Sequence, residues 1–159
     1  MTGAVVGVLR PIPVPKPDAL RRDPGAQAFM LLRVAFTVAP ILFGLDKFAE
    51  VLTDDWTRYL SSEFNSLLPG SAMDGMHIVG VVEIVAGLVV LVSPRFGGLL
   101  VAAWLSGIIV NLLLVGGYAD IALRDFGLLI GALALSRLAT AYQGTRASRA
   151  DAFPAQSHA

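Results

Sequence analysis

The sequence predicts an all-α, integral membrane four-helix bundle with a short interfacial amphipathic helix between its first and second spans. Three observations carry this expectation. Of 159 residues, 55% are hydrophobic and only 15% charged, with a mean hydropathy of +0.70; soluble domains run at about 45–50% apolar and about 25% charged. Residues 96–119 pass 24 positions without a charge, and 75–93 pass 19 with Glu83 alone, lengths that match the roughly 20 apolar residues of a bilayer helix. Short turns separate the apolar runs, so helices adjacent in sequence should be antiparallel neighbours.

The elements follow in order. Residues 1–25 form a Pro-rich segment in which Pro11, Pro13, Pro15 and Pro17 alternate. That pattern blocks helix and sheet and favours an extended, disordered tail, with partner docking as the other reading. The first span is expected over 26–51, with Pro40 inside it; a membrane helix tolerates such a proline when neighbours satisfy the freed carbonyl. Residues 53–68 are too polar to span, yet Trp56, Leu60, Phe64 and Leu67 recur at helical spacing. They read as an amphipathic helix capped by Thr53, lying at the interface over the mouth of the bundle. Pro69-Gly70 ends it. Further spans are expected over 73–92, 96–116 and 122–142, and 143–159 should be a loose polar tail.

The charges orient these spans. Arg10, Lys16, Arg21, Arg22, Arg95, Arg137, Arg146 and Arg149 fall on one side, and Lys47, Arg58 and Arg124 on the other. The positive-inside rule then puts both termini in the cytoplasm of a bacterial cell, with the chain in the inner membrane. An even number of spans agrees. Twelve basic and twelve acidic residues leave no net charge, which implies no nucleic-acid partner. The absence of cysteine removes disulfides, thiol chemistry and Cys-ligated metals. Two histidines, one of them the penultimate residue, do not suit a haem held by two histidines of the bundle. No metal site is expected and no covalently bound cofactor; a redox cofactor would come from a partner subunit or be an exchanging quinone. No nucleotide loop or nucleophile triad is present, so no catalytic residue is assigned.

The polar residues of the spans lie on stripes with small residues: Gly80, Glu83 and Gly87; Arg124, Gly127 and Gly131; Trp104, Gly107 and Asn111; Arg33, Pro40, Gly44 and Lys47. Ionisable groups within a span face the bundle interior or water, and small residues mark close helix approaches. The stripes should therefore converge. They would bring Glu83, Lys47, Arg124 and Asn111 together in the outer half of the bundle, with Asp46 and Asp125 adjoining and His77 shallower. Glu83 is expected to contact Lys47 or Arg124. Such a cluster either fixes helix register or lines a cavity for a quinone head group, a proton or a small polar substrate. Gly127 and Gly131 have the spacing of a dimerisation motif, which leaves a homo-oligomer open, but Arg124 on the same face assigns them to packing within the chain.

Several pieces in this order resemble the DoxX-like membrane proteins. They are Arg33, Gly44-Leu45-Asp46-Lys47-Phe48, Gly80-Val81-Val82-Glu83-Ile84 with Gly87-Leu88, Arg95 with Gly97, and Ala122-Leu123-Arg124-Asp125. The resemblance covers 33–138, about two-thirds of the chain, and omits the N-terminal tail. It implies a four-helix membrane bundle with Asp46, Lys47, Glu83, Arg124 and Asp125 as its polar positions. Members include the small subunit of a thiosulfate:quinone oxidoreductase, a membrane protein of methylamine utilisation and membrane partners of oxidative-stress enzymes. The expected function is a membrane subunit or partner of a quinone-linked oxidoreductase. A non-catalytic anchor or assembly subunit of a larger membrane complex is the alternative, and a small carrier or channel a third. The expected partners are the bilayer and other membrane or redox subunits.

Overall fold

The computed structural model describes Pro15, the backbone of residues 17–151 and the side chains of 20–142. Among the described residues every regular element is helical. The short helix α1 spans Pro17–Arg22, and α2 spans Pro24–Ala49. A 3-10 turn covers Trp56–Tyr59, and α3 covers Ser62–Leu67. Helices α4 (Ala72–Val92), α5 (Pro94–Val115) and α6 (Ala119–Asp151) complete the chain. Three helices, α2, α4 and α5, are long and apolar enough to cross a membrane.

Local chemistry sets the boundaries. Asp23 caps α2 by accepting from the Gly25 amide, with Pro24 in the first turn, where its missing N–H costs nothing. A hydrogen bond from Tyr142 Oη (2.7 Å) and the Gly25 amide hold the Asp23 carboxyl below the usual carboxylate range. The first span thus starts and stops two residues earlier than the sequence suggested, because Glu50 takes a left-handed conformation (φ 50°) and ends the helix. Ser71 and Asp74 form a reciprocal capping box at the head of α4. Gly116 and Gly117, with φ of 78° and 79°, make the reversal into α6 without a Cβ penalty. That tight turn lets α6 begin at Ala119 rather than 122, and the helix continues past 143 to Asp151.

Two other expectations change. The expected amphipathic helix over 53–68 is split, with Asp55 capping the 3-10 turn and Ser61 capping α3. Asp55 and Ser61 supply the side-chain oxygens that Thr53 was expected to supply. In the Pro-rich segment, Pro17–Arg22 is helical; the rest of the expected extended tail, residues 1–14 and 16, lies outside the described residues, as does 152–159.

The long helices pack as two antiparallel pairs, α2 on α4 and α5 on α6. In the first pair the backbones meet where Gly44 faces Gly80. A Cβ on Gly44 would stand 2.5 Å from the Gly80 carbonyl oxygen, and one on Gly80 would stand 2.8 Å from that of Gly44. The apolar core joining the two pairs is built on Phe29, Phe36, Val90, Val101, Leu105 and Leu135. These residues come from the first half of α2, the last turns of α4, the first half of α5 and the later part of α6. The core therefore sits toward the end where α2 begins and α4 finishes. Large apolar side chains on all four long helices, such as Leu31, Val81, Leu113 and Ile130, are left on the outside. A monomer in water rarely exposes a continuous apolar surface of this extent.

Candidate functional site

Toward the other end, where α2 finishes, α2 and α4 hold a buried ion pair. Lys47 Nζ donates to Glu83 Oε2 at 2.6 Å, and the two side chains are 4% and 11% exposed. The sequence builds this contact simply. Helical side chains lean toward the N-terminus of their helix, so Lys47, in the last turn of α2, reaches back into the bundle. Gly80 lies three residues before Glu83 on α4 and lets α2 approach closely enough for the two to meet. Burial of two charges is tolerable here because each satisfies the other.

A strap covers the pair. The Trp56 ring sits over Lys47 Nζ, 4.2 Å from its centroid, a distance within the cation–π range. Trp56 Nε1 donates to Asp46 Oδ2 at 3.1 Å. The other oxygen of Asp46 accepts from the Val51 and Leu52 amides at 2.9 Å each. The far end of the strap is held by Asn111 of α5. Its Oδ1 accepts from the Ser61 amide at 2.9 Å, and its Nδ2 donates to the Tyr59 carbonyl. Tyr59 lies between Trp56 and Tyr118, with ring centroids 5.9 and 5.0 Å away and the ring planes tilted by 54° and 55°. Neither the 3-10 turn nor α3 buries a residue fully, so these polar clasps, with the ring contacts, seat the strap.

The sequence-derived residues fall into three groups. Lys47, Glu83 and Asp46 come together as described, and Asp125 of α6 is half-buried. Asn111 lies near, but its amide serves the strap rather than Glu83. His77 stacks flat on Phe48 at 4.8 Å and 6°. Arg124 is a correction to the expected convergence. Its side chain is 70% exposed and pairs at 3.7 Å with Asp120, one turn back on the same helix. Gly131, on the same stripe, does meet α2, where a Cβ would lie 3.2 Å from the Phe36 ring, but a Cβ on Gly127, nearer Arg124, would meet nothing within 4 Å.

Two residues outside the expected set belong to the site. Trp56 is the lid over Lys47, which spacing alone could present only as an apolar position. Trp104 of α5 comes close to the Glu83 carboxylate, yet its buried Nε1 completes no hydrogen bond. At the opposite end of the bundle, buried Arg33 donates to the Leu91 carbonyl near the end of α4, a favourable place for a cation. Among the described residues, no group of three His, Asp or Glu side chains is placed to hold a metal ion. No family model, curated protein or solved structure matches the chain.

Proposed function

We propose that this chain is a four-helix protein of the bacterial inner membrane, with both termini cytoplasmic, and that it serves as the membrane subunit or partner of a quinone-linked oxidoreductase. Helices α2, α4 and α5 are apolar enough to span; α6, packed against α5, is read as the fourth span. The order and spacing of the motifs shared with DoxX-like proteins support the class. The observation that carries the site is the Lys47–Glu83 pair at 2.6 Å, buried between apolar helices beneath Trp56. An ammonium with two further N–H donors and a carboxylate beside an unpaired indole N–H offer donor and acceptor together. That is the recognition a quinone carbonyl or quinol hydroxyl requires. The carboxylate is also the group to exchange a proton with it.

The test is purification of the full chain in mild detergent from its native membrane, followed by extraction of bound quinone and identification of co-eluting subunits. Glu83→Gln keeps the shape of the side chain and removes its proton exchange. It should leave assembly intact while bound quinone falls at least tenfold. A folded wild-type protein without quinone or redox subunits would reject this reading in favour of the non-catalytic anchor.

A further inference from the structure

Helices α5 and α6 run antiparallel, and their contact fixes which residues stand level. A Cβ on Gly98 of α5 would lie 2.7 Å from the Ala132 carbonyl oxygen and 3.1 Å from Ser136 Cβ, so Gly98 sits between these two residues of α6. Each step toward the start of α5 is then matched by a step toward the end of α6. Arg95 comes level with Arg137, Leu99 with Leu133, and Ala103 with Leu129. On each helix these residues are four apart and share a stripe. Both stripes lie on the outer flank of the pair. Gly97 of α5 meets Val90 of α4, and Gly131 of α6 meets Phe36 of α2; at about 100° per residue, both stripes turn away from those contacts. Exposure agrees, since Leu99 is 50% and Leu133 37% exposed, and both arginines are exposed. The seam thus carries two guanidinium groups at one level and apolar side chains at the next two levels. Among the described residues neither Arg95 nor Arg137 has an acidic partner.

We infer that this seam binds an anionic phospholipid of the cytoplasmic leaflet, with its phosphate bridged by Arg95 and Arg137 and an acyl chain laid along Leu99, Leu133, Ala103 and Leu129. Two like charges at one level repel, and a shared anion turns that repulsion into two attractions. Guanidinium forks suit phosphate oxygens, and basic sites between membrane helices on the cytoplasmic side suit anionic head groups. From Arg95 to Ala103 the stripe descends roughly 12 Å at 1.5 Å per residue, within the roughly 15 Å of one leaflet's hydrocarbon. A second copy of the chain fits poorly, because a symmetric contact here would set the arginines of one copy against those of the other. This site is separate from the Lys47–Glu83 pair at the other end of the bundle, and it rests on the reading of α6 as a span.

The test is lipid binding to the full chain in mild detergent, measured by native mass spectrometry. The probes are phosphatidylglycerol, phosphatidylcholine with the same acyl chains, and glycerol phosphate. Wild type should bind phosphatidylglycerol about tenfold more tightly than phosphatidylcholine, and glycerol phosphate not measurably. Arg95→Gln combined with Arg137→Gln should remove that preference; both positions are exposed, so the fold tolerates the change. Arg21→Gln combined with Arg22→Gln takes the same charge from the same end outside the seam, and should keep the preference. Equal loss in both double variants would reduce the effect to a general attraction of a basic end for anions and overturn the site. Equal affinity for the two lipids would overturn it too, as would glycerol phosphate binding as tightly as phosphatidylglycerol, the mark of a free-phosphate site. Separately, Leu133→Cys should stay unlabelled by a water-soluble maleimide in intact membranes. Labelling there would place α6 in water, which is the failure of the four-span reading, and the lipid site would fall with it.

Discussion

Glu83 and Lys47 are each tolerated inside an apolar bundle because of the other. Glu83→Ala should leave the Lys47 ammonium buried without its carboxylate, and loss of one partner of a buried pair costs about 3–5 kcal/mol. Thermal or denaturant unfolding in detergent should register that loss, and Lys47→Ala should behave similarly. The double substitution Lys47→Met with Glu83→Leu should recover most of it, since no charge is then left unpaired. Additive losses in the double variant would show that the two groups do not act as a pair. The partnership of Glu83 with Lys47 was open to sequence reasoning because Gly80 and Gly44 share their stripes. The alternative partner, Arg124, has equally favourable spacing on its own helix. What separates the two is that the Arg124 side chain is 70% exposed and pairs with Asp120 on its own helix, which no periodicity records.

The strap between α2 and α4 is held by side chains that are remote in sequence. Asn111 binds backbone groups of Tyr59 and Ser61, 52 and 50 positions away, and it is exchangeable because neither partner is an element of the core. Asn111→Ala should free one end of the strap and let Trp56 lift from Lys47. In a Trp104→Phe background, where Trp56 is the remaining tryptophan, its emission should shift to the red and become several-fold more open to an aqueous quencher. Helix content should stay the same, because α4 and α5 keep their own packing. Unchanged emission would mean that Asp46 and the ring contacts seat the strap without Asn111. The apolar spacing of residues 56–67 foretold a segment lying over the bundle mouth. It did not foretell the break at Leu60, where the backbone turns extended and Ser61 starts a new helix.

At the scale of the whole molecule the proposed orientation can be checked cleanly, because the chain contains no cysteine. Ser62→Cys stands on exposed α3 and should react with a membrane-impermeant maleimide applied to intact spheroplasts. A reporter fused after Tyr142 should be active in its cytoplasmic form alone. Labelling of Ser62→Cys only after lysis, or periplasmic activity after Tyr142, would invert the topology. The uneven distribution of Lys and Arg, eight against three with Arg33 apart, is the physical basis of the expectation. Tertiary structure adds that the core joining the two helix pairs lies toward the end where α2 and α5 begin, near Arg22 and Arg95, while the ion pair and strap occupy the other end.

The sequence by itself determined the helical class, the apolar lengths of the candidate spans, the breaks between 92 and 96 and between 116 and 122, and the pairing stripes of α2 and α4. These are local properties, set by hydrophobic runs, by proline and glycine backbones and by the 3.6-residue period. Only the tertiary structure decided that Arg124 stays outside, that Asn111 serves the strap and that Trp56 roofs Lys47. Each of these depends on the depth and angle at which two helices cross. That geometry is the sum of many weak packing contacts, and no single segment of the chain encodes it.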